Sequence, residues 1–344
     1  MSNEPIDVGL IGYGLAGAAF HAPLIRACER MELASVLTSR DIPNRTGSLD
    51  ELIERSDLVV VATPNTSHFS IAKQALESGC HVVVDKPFTV TIEEANELID
   101  LAAAQKRVLS VFQNRRWDSD FLTVRDLLPQ LGDVLLFEAH WDRFRPEIKQ
   151  GWREQPGPGA GLWNDLGPHL VDQALQLFGS PDAIEADILS QREGALVDDY
   201  FDVVLHCGRA RVCLRSSSVV AAPRPRFSIH GTGGSYVKQG FDPQEAQLKS
   251  GMDPHDIQFG VDKIDGVLTK PGGPHEPVPT CRGNYLAYYD AVAAAIRDGA
   301  PVPVRPEDAR TGLELINLAR RASELGQRLP VPAASWMGAS LPAK

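Results

Sequence analysis

The sequence predicts two domains of different class: an α/β half in which short strands and amphipathic helices alternate, and an α+β half in which strand follows strand. Three observations carry this. The first part keeps a strand-helix rhythm; the turn Gly12-Tyr13-Gly14-Leu15-Ala16-Gly17 directly follows the first apolar run; and beyond residue 134 several strand-like runs share a single substantial helical segment. At 344 residues the chain is also long for one core. The expected divisions are 1–118, 119–330 and a tail, 331–344.

In order, the apolar runs 8–11, 33–37, 58–62, 82–84 and 108–112 are strand-length, and 67–78 and 92–105 have helical patterning. This is the βαβ pattern of a parallel sheet with helices on both faces. In the second half, 134–140, 183–189, 201–206, 211–219 and 227–230 read as strands and 166–178 as the helix among them, which predicts a mainly antiparallel sheet. Residues 240–283, rich in Pro, Gly and charge, read as a long loop. Helical patterns return at 285–297 and 307–325, and the prolines after Leu329 predict an extended or frayed tail.

Composition excludes several classes. Net charge is −11, the predicted pI is near 5.3 and no basic stripe is present, so nucleic acid is not expected as a partner. The acidic start, residues 1–7, is unlike a signal peptide, and no apolar stretch is long enough to span a bilayer; a cytoplasmic protein without membrane association is expected. Five cysteines with no CxxC, and no HExxH, predict free thiols and no metal.

The candidate chemistry begins at the glycine turn. In GxGxxG after a strand and before a helix, Gly12 permits the tight turn, Gly14 lets a pyrophosphate approach the backbone, and Gly17 allows close helix packing; Leu15 and Ala16 complete the cradle. At the end of the second strand, Ser39-Arg40 suits the 2′-phosphate of NADP, with Arg45 as a second contact, while Asp41 keeps NAD open. Thr63, Pro64, Asn65 and His68 follow the third long strand, and Asp85-Lys86-Pro87 ends the run 82–84, so both segments should open into the same crevice as the glycines. Asn114 is a substrate-facing candidate; Arg115 and Arg116 read as salt-bridged surface residues.

Asp165, His169 and Asp172 have i, i+4 and i+7 spacing, which puts them on one helix face. A carboxylate one turn before a histidine can orient the imidazole for proton transfer. The alternative is an N-cap at Asn164 or Asp165 and a structural His169. Trp163 and Tyr285 are further substrate candidates, with Asp172 beside them and Arg143 and Trp152 weaker.

Together GxGxxG, ATPNTSH, an acid-Lys-Pro and WNDLGPH resemble the Gfo/Idh/MocA family of NAD(P)-dependent sugar and polyol dehydrogenases, over essentially the whole chain. Residues 13–23, 113–118, 142–146 and 230–235 resemble its NADP-dependent scyllo-inositol dehydrogenase subgroup. The resemblance implies a Rossmann domain followed by an open-faced, mainly antiparallel sheet that commonly forms dimer contacts, and hence a homodimer or homotetramer. It also implies that Lys86, Asp165 and His169 match the family's catalytic lysine, aspartate and histidine. Two departures stand out: Asp85 replaces the usual Glu, and the second βα unit is shortened, residues 41–46 being too few and too proline-broken for a helix.

The implied reaction is hydride transfer between nicotinamide, NADP favoured, and a secondary carbinol of a cyclic polyol or sugar. His169 would be the base oriented by Asp165, and Lys86 would stabilise alkoxide character, with the two roles exchangeable. A non-catalytic sensor of the same fold and a keto-sugar reductase are the alternatives.

Overall fold

The computed structural model describes residues 4–149, 151 and 154–332, so Trp152 and the tail 333–344 lie outside the described residues. The chain folds into two compact units. The first holds residues up to Asp118 together with Pro243–Val261 and Arg282–Arg310; the second holds Ser119–Asp242, Asp262–Cys281 and the chain from Thr311. Two stretches expected in the second domain thus pack in the first unit.

In the first unit, β1 (Ile6–Ile11), β2 (Met31–Leu37), β3 (Arg45–Thr46), β4 (Leu58–Val61), β5 (His81–Asp85) and β6 (Leu109–Phe112) form a parallel sheet of order β3-β2-β1-β4-β5-β6. Strands covered on both faces need continuous apolar runs, and all four residues of β4 and the three valines of β5 are fully buried. Helices α1 (Ala22–Ala27), α2 (Leu49–Glu54), α3 (His68–Glu77) and α4 (Ile92–Gln105) intervene. Their ends are written locally: Ser48 caps α2, and Thr91 with Glu94 forms a capping box on α4. The strand order reverses between β1 and β4, the switch point where open α/β sheets bind ligands. Register then aligns the carboxyl ends, because Leu37, Ile11, Val61, Val84 and Val111 are successive partners across the sheet.

The second unit begins with α5 (Ser119–Leu127). It is built on β7 (Val134–His140), β8 (Ala183–Leu189), β9 (Tyr200–Cys207), β10 (Ala210–Ser217), β11 (Phe227–Gly231) and β12 (Gly234–Lys238), with α6 (Leu162–Phe178) between β7 and β8. Strands β13 (Gly266–Thr269), β14 (His275–Val278) and β15 (Leu329–Pro330) complete nine strands in the order β14-β13-β12-β11-β7-β10-β9-β8-β15. Pairing is antiparallel except between β7 and β10, so the sheet is mixed. Phe201, Val203 and Leu205 of β9 are buried while Asp202, Val204 and His206 are half-buried, the alternation of a sheet with one covered face. Arg215 of β10 ties the less covered face by pairing with Asp202 of β9 at 2.9 Å and with Glu138 of β7.

One expectation is corrected here, and two others gain detail. Residues 240–283 are not one loop: α7 (Gln244–Lys249) and strands β13 and β14 lie within them. Pro and Gly bound these short elements and hide them from periodicity. Of the two forms expected after Leu329, the extended one holds at the start: Leu329 and Pro330 pair with Ile184 and Ala183 at the sheet edge, where a proline's missing N–H costs no ladder bond. The shortened 41–46 connection carries no helix, yet Arg45–Thr46 adds to β2 as β3. The later helices are α8 (Leu286–Asp298), whose Tyr288, Tyr289 and Val292 join the first core, and α9 (Pro306–Leu325), whose Leu315, Ile316 and Ala319 join the second.

Candidate active site

The first unit gathers most of the candidate cofactor residues along one sheet edge. Gly12 has φ +91°, and a Cβ there would lie 2.4 Å from the Ala62 carbonyl oxygen; a Cβ on Gly17 would lie 2.0 Å from the Gly12 carbonyl oxygen. Gly14 is different, because a Cβ there would meet no protein atom within 4 Å. The turn is thus closed against the protein at Gly12 and Gly17 and open at Gly14, with Leu15 mostly exposed beside it. This fits a dinucleotide pyrophosphate, which needs space at the middle glycine and N–H groups around it. The segment behind it, Gly17–His21, has π-helical hydrogen bonding before α1.

Thr63 and Pro64 follow β4, next to β1 in the sheet, with Pro64 exposed and Thr63 and Asn65 half-buried. The Ser67 hydroxyl donates to the Pro64 carbonyl and hydrogen-bonds with the Thr63 hydroxyl, each at 2.8 Å, and makes no side-chain cap on α3. His68 is buried, with ring nitrogens 2.8 Å from the Pro87 carbonyl and 2.9 Å from the Thr63 carbonyl. It therefore joins two loops beneath the edge and does not present a nitrogen to a ligand, a correction to its place among the cofactor contacts. Asp85 and Lys86 are half-buried, and the Asp85 carboxylate accepts Lys86's own N–H at 2.8 Å. Burial works against the Asp85 charge, but the neighbouring His21, then Lys86 and His68, hold its carboxyl below its usual range. At the end of β2, Ser39 and Arg40 are exposed, and Arg45 Nε donates to the Thr38 carbonyl at 3.1 Å.

After β6, Asn114 is buried in a short 3-10 turn, Asn114–Trp117. Its neighbours correct the sequence reading: Arg115 and Arg116 are paired but buried, Arg115 with Glu245 and, at 3.6 Å, Asp118, and Arg116 with Asp308 at 3.4 Å. Tyr285 is fully buried, donating to Asp118 at 2.6 Å and accepting from Arg115 at 2.8 Å. Its hydroxyl serves this internal network, not a substrate.

In the second unit, α6 starts one turn earlier than its apolar pattern suggests. Neither Asn164 nor Asp165 caps it. The helix is preceded by Gly161 at φ +89°, and the Asp198 carboxylate accepts the Trp163 N–H at 2.7 Å. Asp165 stays half-exposed, 3.5 Å from Arg143, while His169 and Asp172 are buried on the same helix. The Trp141 ring stacks on His169 at 6.0 Å between centroids. Trp163 is fully buried, its indole N–H donating to the Ile316 carbonyl at 3.0 Å and its ring packed on Phe201, so it is a core residue and not a ligand contact.

Among the described residues no group of side chains is suited to a metal ion, and no helix is long and apolar enough to cross a membrane. Comparison with known proteins decides the lineage. Residues 6–113 match the model "Oxidoreductase family, NAD-binding Rossmann fold" and residues 126–332 match "Oxidoreductase family, C-terminal alpha/beta domain". The chain belongs to the Gfo/Idh/MocA family. It is accordingly an oxidoreductase with an NAD-binding domain. Among its Gfo/Idh/MocA relatives, it is 47% identical to the uncharacterized oxidoreductase YdgJ of Escherichia coli, over 92% of this chain and 96% of that one. It is 37% identical to the NADP-dependent scyllo-inositol 2-dehydrogenase IolW of Bacillus subtilis, over 93% and 94%. Among solved structures it resembles the Yersinia pestis protein YPO2259, with TM-score 0.92 and 45% identity over 96% and 98% of the two chains. It also resembles an oxidoreductase from Bacillus cereus, with TM-score 0.87 and 32% identity over 95% and 99%.

His21, Tyr289, Asp198 and Trp141 belong to this framework but carry no signal in the sequence. Each acts through a partner distant along the chain, as with His21 and Tyr289, 268 residues apart, and no spacing rule reaches that far.

Proposed function

We propose that this oxidoreductase transfers a hydride between the nicotinamide of NADP, with NAD as the weaker alternative, and a secondary carbinol or ketone of a cyclic polyol or sugar. The observation that carries this reading is the sheet register that sets the glycine turn and Lys86 at the same strand edge, with the Gly14 backbone open toward a ligand. When bound, the nicotinamide supplies the hydride acceptor or donor. The backbone at Gly14 to Gly17 holds the pyrophosphate, and Ser39, Arg40 and Arg45 hold the 2′-phosphate, which a guanidinium grips better than a ribose hydroxyl. Lys86 places an ammonium to stabilise alkoxide character at the reacting oxygen. His169 takes or returns the hydroxyl proton, and Asp165 orients it, its own position held by Arg143. A relative named as an NADP-dependent scyllo-inositol dehydrogenase supports both the ring-polyol class and the preferred cofactor. The active form would be a homodimer or homotetramer joined through the less covered face of the second unit's sheet.

The test is NADP+ and NAD+ reduction across a panel of inositols and aldoses, with Lys86→Ala in parallel. Turnover with a polyol and NADP+, reduced about a thousandfold or more in the variant, is the expected outcome. Tight dinucleotide binding without turnover on any panel member, or in the reverse direction with keto-polyols, would replace this reading with that of a sensor.

A further inference from the structure

Lys86 leaves β5 between two residues that are each held by a buried histidine. On one side, Asp85 Oδ1 accepts the Lys86 N–H and lies 3.8 Å from His21 Nε2. On its other edge the His21 ring hydrogen-bonds through Nδ1 with the Tyr289 hydroxyl, 2.6 Å away, so the imidazole stands between Tyr289 and the Asp85 carboxylate. The His21 ring is fully buried and packs on Phe112 at 4.3 Å. On the other side, His68 binds the Pro87 carbonyl and carries that contact to the Thr63 carbonyl. The residues flanking Lys86 are thereby tied to the segment after the glycine turn, to the β4 loop and to α8, all inside the first unit.

We propose that His21 and His68 are positioning residues that fix Lys86 for its part in the reaction, His21 through the Asp85 carboxylate and His68 through the Pro87 carbonyl. The inference rests on the reading of Lys86 given above. The groups facing Asp85 are His21, His68 and Lys86, with the Tyr288 and Tyr289 hydroxyls behind them. Burial, followed by neighbouring charges that include Asp85, pushes the Tyr289 hydroxyl well up, so it stays protonated beside His21. His21 is fully buried and both ring nitrogens of His68 lie on backbone carbonyls, which separates a positioning role from direct contact with substrate or cofactor.

The test uses the full chain with isotope-labelled dimethyl-lysine NMR, the Lys86 signal being identified by its loss in Lys86→Arg. Asp85→Asn, which removes the carboxylate charge beside the ammonium, should move the Lys86 resonance. His21→Leu and His68→Leu should each move the Lys86 resonance. On unmodified protein they should reduce kcat about tenfold or more, with KM and dinucleotide affinity within about twofold. His21→Gln, which keeps an amide donor toward Asp85, should restore most of kcat. Leu98→Ala, a buried truncation in α4, should lower Tm without moving any of these readouts. Should a leucine variant fail to fold, Asp85→Asn and His21→Gln decide. The proposal is overturned by an unchanged Lys86 resonance in the folded variants, or by a kcat loss that follows Tm alone. Because NMR needs no turnover, a moved Lys86 signal in a chain inert on the whole panel would sink the dehydrogenase reading and leave the positioning role standing.

Discussion

A methyl group separates two glycines of the same turn. At Gly17 it would strike the Gly12 carbonyl oxygen at 2.0 Å, and at Gly14 it would meet nothing of the protein. Gly17→Ala should therefore lower both Tm and dinucleotide affinity, whereas Gly14→Ala should leave Tm unchanged and weaken only the dinucleotide, as thermal melts and titration calorimetry would reveal. Equal effects at both positions would rule out an open cradle at Gly14. His81 gives a pH effect confined to one residue. Its Nδ1 accepts the Val108 N–H at 2.9 Å, and burial, with Arg107 nearby, lowers its pKa from 6.5 to about 4. Between those values the unfolded chain binds the proton and the folded chain does not, so His81 removes stability as pH falls from 6.5 toward about 4. His81→Asn keeps an acceptor for Val108 and should flatten this part of the Tm-against-pH curve; an unchanged slope would exclude His81 as its source.

Among the elements, the connection from β2 to β3 bears on cofactor choice. Shortening it brings β3 directly alongside the end of β2, with Val36 opposite Arg45 and Leu37 opposite Thr46, and leaves Arg40 exposed at the strand end. A charged hydrogen bond to phosphate contributes about 1.5–3 kcal/mol, so Arg40→Glu should reduce the NADP-over-NAD preference in kcat/KM about tenfold or more. No change in the ratio would move phosphate recognition elsewhere. Helix α6 shows how an element can be legible while its start is not. Its apolar period is plain in the sequence, but the cap comes from Asp198, beyond β8, and Pro168 inside the helix resembles a first-turn proline when only local rules are applied.

Across the molecule, the chain passes between its two units several times, and each unit ties its own ends at these crossings. In the first, the Trp117 carbonyl accepts from Gln244 Nε2 and from the Asn284 N–H, both at 3.0 Å, and Gly283 N–H donates to the Gly260 carbonyl at 2.8 Å. In the second, Ser119 N–H donates to Asp242 at 2.7 Å and Cys281 N–H to Thr123 Oγ1 at 2.8 Å. There too the buried Lys238 ammonium donates to Asp262 and to the Gln239 and Ile264 carbonyls. Asp262→Ala would strand that charge, so a loss of about 3–5 kcal/mol is expected in denaturant melts. A loss under about 1 kcal/mol would mean that the ammonium reaches water or another partner.

The class of both units, five of the six strands of the parallel sheet and the glycine turn are legible in the amino-acid order alone, because each is written in local periodicity or in backbone freedom at a single residue. Lys86, Asp165 and His169 could be located on their elements in the same way. Folding was needed to show that Trp163 and Tyr285 are core residues, that Arg115 and Arg116 are buried, that His68 works beneath the strand edge, and that 243–261 and 282–310 return to the first unit. An aromatic ring or a guanidinium reads the same in sequence whether it faces a ligand or a buried partner. Which it faces depends on residues far along the chain, such as Asp118, Glu245 and Ile316, that only the folded chain brings to it.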